Sequence, residues 1–166
     1  MALMAGFSGW PGVAGSIQFR DCMKHVKKSV LIWYSPREMY DLVVDAPSYP
    51  KFLPWCQKGE ILTREGDGLT ARLHLAYAGV RHAFTTRNRM VPERSLTMAL
   101  VDGPFSHLQG EWRFLPLGAV AEGAQPQACK VEFDLSYAFS SRPLEAVVSP
   151  VFDKIANTFV DSFVAR

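Results

Sequence analysis

Three cysteines, Cys22, Cys56 and Cys129, stand far apart in 166 residues, an odd number with no C-x-x-C pair among them. The four histidines, His25, His74, His82 and His107, show no ligand spacing either. That pattern argues against a disulfide scaffold and against a zinc site, so no metal is expected and reduced cytosolic thiols are the economical reading. No apolar run approaches the ~20 residues that a membrane-spanning helix needs. Charge of one sign is scarce as well. Eighteen basic against 16 acidic residues leave a net +2, too little by itself to call for nucleic acid, and no DNA partner is expected. G-x-S-x-G, a P-loop, G-x-G-x-x-G and H-E-x-x-H are all missing, which removes the motif-borne hydrolase, nucleotide and metalloprotease chemistries.

What is present fits one globular domain. The length suits a single core burying roughly 70% of the unfolded surface, and the composition, 48% hydrophobic and 20% charged, is ordinary. Residues 1–22 are Gly-rich, lack a basic n-region and make a poor secretory or transit signal. Met23 then opens a well-patterned segment, so 1–22 is expected to be a disordered or non-native leader and 23–166 the folded domain.

Periodicity supplies the elements. Residues 25–33 read as a strand, and Ser35-Pro36 with Glu38 announces a helix to about Val44. From Cys56 to Phe139 the period is two. Leu69, Ala71, Leu73, Leu75 and Tyr77 alternate with polar neighbours, Ala78-Gly79 makes a tight turn, and Val80 to Met90 alternate again. Further faces come from Leu96–Leu100, Leu108–Phe114 and Val131–Phe139, giving seven strands with residues 25–33 and about 57–65. The last element changes period. Leu144, Val147, Val148, Val151, Phe152, Ile155, Phe159 and Phe163 form one stripe on a helix of about six turns, which Pro150 is expected to kink or to begin. The expectation is an α+β fold in which a curved antiparallel sheet wraps the long C-terminal helix. Such a wrap leaves a gap near one end unless large side chains fill it.

Candidate functional residues follow from that picture. The stretch YPKFLPWC, residues 49–56, packs Tyr49, Phe52, Leu53 and Trp55 between prolines that disfavour helix and ladder. It is either a plug at one end of the core or the frame of a cavity mouth, and on the second reading Leu53→Lys, a charge in that apolar site, should abolish ligand binding while sparing the fold. Glu132 and Asp134 alternate with core residues and face solvent, whereas His82 and Asn88 share parity with Phe84 and point inward. An inward His82 is a satisfied core group or a polar anchor for a ligand. No convergent acid–base pair emerges, so an enzyme is not expected. Between Gly68 and Pro92 lie Arg72, Arg81, Arg87 and Arg89 and no acid at all. That basic surface is a solvated face, or a contact for an anionic membrane or for ribosomal phosphates.

The segments at 26–56, Phe84-Thr85-Thr86, LVDGPFSHLQGEWRF at 100–114, CKVEFDLSYAFSSRPLE at 129–145 and PVFDKIANTFVDSFVAR at 150–166 occur in order and at consistent spacing. Together they resemble the coenzyme Q-binding and RatA (ribosome association toxin) subgroup of the START-like, polyketide cyclase-type superfamily. The resemblance implies a helix-grip fold with two short helices between the first two strands and an apolar cavity under the long helix. It implies, too, non-enzymatic binding of a polyisoprenoid lipid such as ubiquinone, supporting respiration. No cofactor beyond that bound lipid is required. Its bacterial relatives offer the alternative of a regulator that blocks ribosomal subunit association at the large subunit. A cytoplasmic protein, peripheral on the inner face of the respiratory membrane, would fit the lipid role. The candidate cavity and mouth set, from the residues and the resemblance together, is Tyr49, Phe52, Leu53, Trp55, His82, Phe84, Leu100, Phe105, Trp112, Phe152, Ile155 and Phe159. Gly103-Pro104-Phe105 is read as a turn needing glycine's freedom and proline's fixed φ.

Overall fold

The computed structural model describes residues 23–118, 122–124 and 126–165. The reading of residues 1–22 as a leader lies outside them. The chain runs β1 (Lys24–Ile32), α1 (Pro36–Val44), a 3₁₀ helix (Ala46–Lys51), β2 (Cys56–Glu65), β3 (Gly68–Tyr77), β4 (Val80–Val91), β5 (Ser95–Asp102), β6 (Phe105–Pro116), β7 (Cys129–Phe139) and α2 (Arg142–Val164). Strands β2 to β7 form an antiparallel meander, and β1 closes the far side against β7, giving the order β1-β7-β6-β5-β4-β3-β2. This is the seven-stranded α+β arrangement anticipated from the alternation, and the helix grip that the resemblance implies.

Local chemistry explains the joints. Ser35 caps α1 through a capping box: its Oγ accepts from the Glu38 amide at 3.2 Å, and Glu38 Oε2 accepts from the Ser35 amide at 2.8 Å. Those bonds from the Ser35 backbone and hydroxyl hold the Glu38 carboxyl below its usual range. The β3–β4 hairpin turns through Ala78 (φ 50°) and Gly79 (φ 79°), two left-handed residues in succession, as a two-residue hairpin of the primed type requires. At Gly59, β2 passes so close over the 3₁₀ helix that a Cβ there would lie 2.0 Å from the Ala46 carbonyl oxygen.

Helix α2 lies across the concave face. Ser141 caps it, accepting from the Leu144 amide at 3.3 Å. Val148, Val151, Phe152, Ile155, Ala156, Val160 and Phe163 are buried, each large one worth ~1.5–3 kcal/mol before its ordering entropy. The stripe differs slightly from the one the spacing suggested: Val147 is 56% exposed and Val160 takes a core place. Of the two expectations for Pro150, beginning the regular part is not met, since the helix is continuous from Arg142 to Val164. Pro150 and Ala146 both sit on the exposed face, so the carbonyl deprived of its i+4 donor faces water. The opposite edge of α2 is tied to β1 and β7. Lys24 Nζ donates to Asp153 Oδ2 at 2.6 Å and to the Ser149 hydroxyl, and the Tyr137 hydroxyl donates to Asp153 Oδ1 at 2.6 Å. Burial pushes the Asp153 carboxyl up, but the bonds from Lys24 and Tyr137 outweigh it and leave it below the ordinary value.

Candidate functional site

The proline-rich stretch YPKFLPWC folds as a 3₁₀ turn with Pro50 inside it, followed by a sharp return into β2. Tyr49 is its pivot: the hydroxyl donates to the Val43 carbonyl, and its own carbonyl accepts from the Phe52 and Leu53 amides. Burial drives the Tyr49 phenol well above its usual pKa, so it stays protonated. Trp55 is not wholly outside the sheet, since its carbonyl accepts from the Ala76 amide at 2.9 Å.

Between this segment, the concave sheet and α2 lies a cavity of about 70 Å³. Its walls are Val43, Val44, Ala46, Tyr49 and Trp55 at one end, and Leu69, Ala71, Leu73, Phe84, Thr86 and Asn88 on β3 and β4. Leu96, Met98, Leu108, Trp112, Phe133 and Leu135 continue the sheet wall, and Phe152, Ile155, Ala156 and Phe159 of α2 complete it. A water requires roughly 10–15 Å³ of such space, so several atoms fit as the side chains stand, and a long hydrocarbon has to widen the slot. Among the described residues that line it, none is Asp, Glu, His, Lys, Arg or Cys. The lining polar groups are few. The Tyr49 hydroxyl donates to the Val43 carbonyl, and the Thr86 hydroxyl donates to Asn88 Oδ1 at 2.8 Å. Among the described residues, the buried Trp55 and Trp112 indole N–H groups meet no hydrogen-bond acceptor.

The structure brings together seven of the twelve candidate residues at this cavity: Tyr49, Trp55, Phe84, Trp112, Phe152, Ile155 and Phe159. Five stand elsewhere. Leu53 has no exposed surface and lies in the core below the turn, so a lysine there would bury a charge and unfold the domain, contrary to the expectation that the fold would survive. Phe52 packs edge-on against Tyr49 and Phe163. Phe105 stacks on Phe139 and meets Phe84, Tyr137 and Phe152 from outside the cavity. His82 and Leu100 are half-buried, opposite Leu75 and Thr86 respectively, and neither reaches the lining. Gly103 has φ 150° and lets the turn into β6 touch Phe84: a Cβ there would come within 2.7 Å of the Phe84 Cβ. Thr86 follows from its parity with Phe84, as Asn88 did. Val43, Val44, Met98 and Leu96 come from elements whose approach only the tertiary fold sets.

The basic face is less bare than its sequence window suggested. Arg81, Arg87 and Arg89 are exposed, but Glu65 and Asp67 at the β2–β3 turn reach Arg87 at 3.5 Å and Arg89 at 3.4 Å. Arg72 turns to the Thr85 hydroxyl, with Nε 3.1 Å away. Cys56 and Cys129 are free and buried, and burial pushes both thiols up to about 11. Among the described residues no helix is long and apolar enough to cross a membrane, and no group of three or more acidic, His or Cys side chains is placed to hold a metal.

A helix gripped by a curved sheet over an apolar slot defines a START-like protein. The chain belongs to the polyketide cyclase/dehydrase and lipid transport family, whose model matches residues 32–164. It is 38% identical over 142 residues to the ribosome association toxin RatA of Pseudomonas aeruginosa, covering 86% of this chain and 94% of that one. It is 27% identical over 137 residues to the mitochondrial coenzyme Q-binding protein COQ10 homolog B of Xenopus laevis, covering 82% of this chain and 54% of that protein. Among solved structures, an 18 kDa protein of Caulobacter crescentus superposes with a TM-score of 0.64 at 29% identity, covering 86% and 95% of the two chains. The Zhui aromatase/cyclase of Streptomyces superposes at 0.68 with 20% identity over 86% and 92%, a likeness of fold alone.

Proposed function

We propose that this protein binds an apolar small molecule of isoprenoid character, such as a ubiquinone, in the cavity beneath α2, and carries it without chemical change. The observation that carries the reading is the lining itself: twenty-one residues, most of them aliphatic or aromatic, and no acid, base or thiol among them. A cavity of that kind desolvates a ligand but has nothing with which to move its protons. The similarity to a coenzyme Q-binding protein supports the ligand class. Helix α2 supplies one wall of the slot and is held at one edge by the Lys24–Asp153–Tyr137 cluster. Delivery at the cytoplasmic face of a respiratory membrane fits this role. Organic extraction of the purified protein followed by mass spectrometry tests the reading. A co-purifying isoprenoid quinone or related lipid is expected, and a lipid-free protein that also fails to take up decylubiquinone would refute it.

The higher identity to ribosome association toxins favours a second reading, contact with the large ribosomal subunit through the exposed Arg81, Arg87 and Arg89 face of β4. Its test is co-sedimentation with salt-washed large subunits. Charge reversal of the three arginines should abolish binding on this reading and leave lipid content unchanged.

A further inference from the structure

Buried tryptophans nearly always find an acceptor for the indole N–H, because leaving the donor dry forfeits its hydration. This protein has two that do not. Trp112 is wholly buried and Trp55 is 5% exposed, and neither Nε1 meets an acceptor among the described protein atoms. Both line the same cavity. Both also flank one ring, Phe159, with centroids 5.7 Å and 5.6 Å from it, so the two donors belong to one neighbourhood. Aromatic faces accept N–H only weakly. The nearby hydroxyls of Tyr49 and Thr86 donate to the Val43 carbonyl and to Asn88 Oδ1, and although their oxygens could accept, neither forms a hydrogen bond with an indole N–H.

We infer that Trp55 and Trp112 are the polar anchor of the cavity, and that their indole N–H groups donate to neutral carbonyl-type oxygens of a ligand that is otherwise hydrocarbon. The chemistry narrows the class. An indole is a donor only, so its complement is an acceptor. An anionic acceptor is disfavoured, because no cationic side chain lines the site and a lone buried carboxylate or phosphate would be left without a counter-ion. A hydroxyl would bring a proton of its own that needs a partner, whereas a ketone or quinone oxygen brings none. The site is therefore matched to carbonyl-bearing rings or chains, and it discriminates against hydrocarbons of the same shape because these leave both donors dry. This rests on the lipid-binding reading above and adds to it the group that the protein recognises.

The test uses the full chain, stripped of lipid and labelled with ¹⁵N at its indoles, titrated with 2-decyl-1,4-benzoquinone and separately with decylbenzene. Single Trp→Phe variants assign the four indole signals, and if Trp112→Phe does not fold, its signal is assigned by elimination from the other three. The quinone is expected to bind at least tenfold more tightly than decylbenzene and to move the Trp55 and Trp112 N–H signals downfield. Trp55→Phe should weaken quinone binding roughly five- to tenfold and decylbenzene binding far less. Equal affinity for the two probes, or quinone binding that leaves either N–H signal in place, overturns the anchor while the apolar cavity stands. Failure of both probes to bind overturns the anchor and the lipid-binding reading together.

Discussion

Replacing Ala156 by leucine decides whether the space under α2 is truly unfilled. Ala156 is 2% exposed, sits on the cavity wall and is flanked along the helix by Phe152 and Phe159. The cavity of about 70 Å³ is several times the space that one water needs, so three added carbons have room to enter it. Burying them is worth about 2 kcal/mol of transfer free energy, less ~0.5–1 kcal/mol for the fixed leucine rotamer. The net gain of about 1–1.5 kcal/mol corresponds to a rise of roughly 3–5 °C in the melting temperature of a domain this size. In a filled core the same change would overpack and cost ~1–3 kcal/mol, lowering the midpoint instead. The sign of the shift therefore discriminates, read by calorimetry on lipid-free protein. The same variant should lose most of its capacity to retain decylubiquinone. A lowered melting temperature with lipid uptake intact would refute the reasoning, because it would place the ligand elsewhere and show the wall already packed.

The other predictions concern the frame. Ala78→Gly should stabilise the protein by about 1 kcal/mol in urea unfolding, because alanine is strained at φ 50° and glycine is not. Gly59→Ala should cost ~3 kcal/mol by the same assay, since the new methyl would sit 2.0 Å from the Ala46 carbonyl oxygen and neither backbone can yield alone. The Asp153 carboxyl is held below its unfolded value, so its contribution is complete above pH ~4 and is lost as the pH falls through the folded value. Melting curves between pH 2 and 6 should accordingly fall less steeply for Asp153→Asn than for the unmodified protein. The same sign applies to Glu60, which Lys58 and His74 hold down to about 2. Glu60→Gln should remove a share of the acid-limb slope between pH 4.5 and 2.

Much of this architecture could be read along the chain because its signals are local. Alternation from Leu69 to Tyr77 and from Val80 to Met90 allows only a strand with one wet face, and a one-residue slip would expose every apolar group at once. Ser35 with Glu38 starts α1 by bonds that span three residues. The aromatic wealth of YPKFLPWC also foretold a special segment near the core. Its role could not be divided in advance between plug and cavity wall, and the fold divides it residue by residue. Leu53 and Phe52 plug, while Tyr49 and Trp55 face the slot.

Periodicity and one local cap signal thus determined the strands, α1, the long C-terminal helix and the inward parity of Phe84 and Asn88, because each depends on contacts within a few residues, whereas His82, of the same parity, does not reach the slot. Tertiary structure alone decided which apolar groups border empty space, since a cavity is a deficit of packing among β3, β4, β6 and α2 that no single segment contains. It likewise brought Glu65 and Asp67 to Arg87 and Arg89 across a hairpin, muting a charge that looked bare in the linear window. And it left two indole donors in one slot without an acceptor among the described residues: whether a buried N–H finds one depends on where distant backbones come to rest.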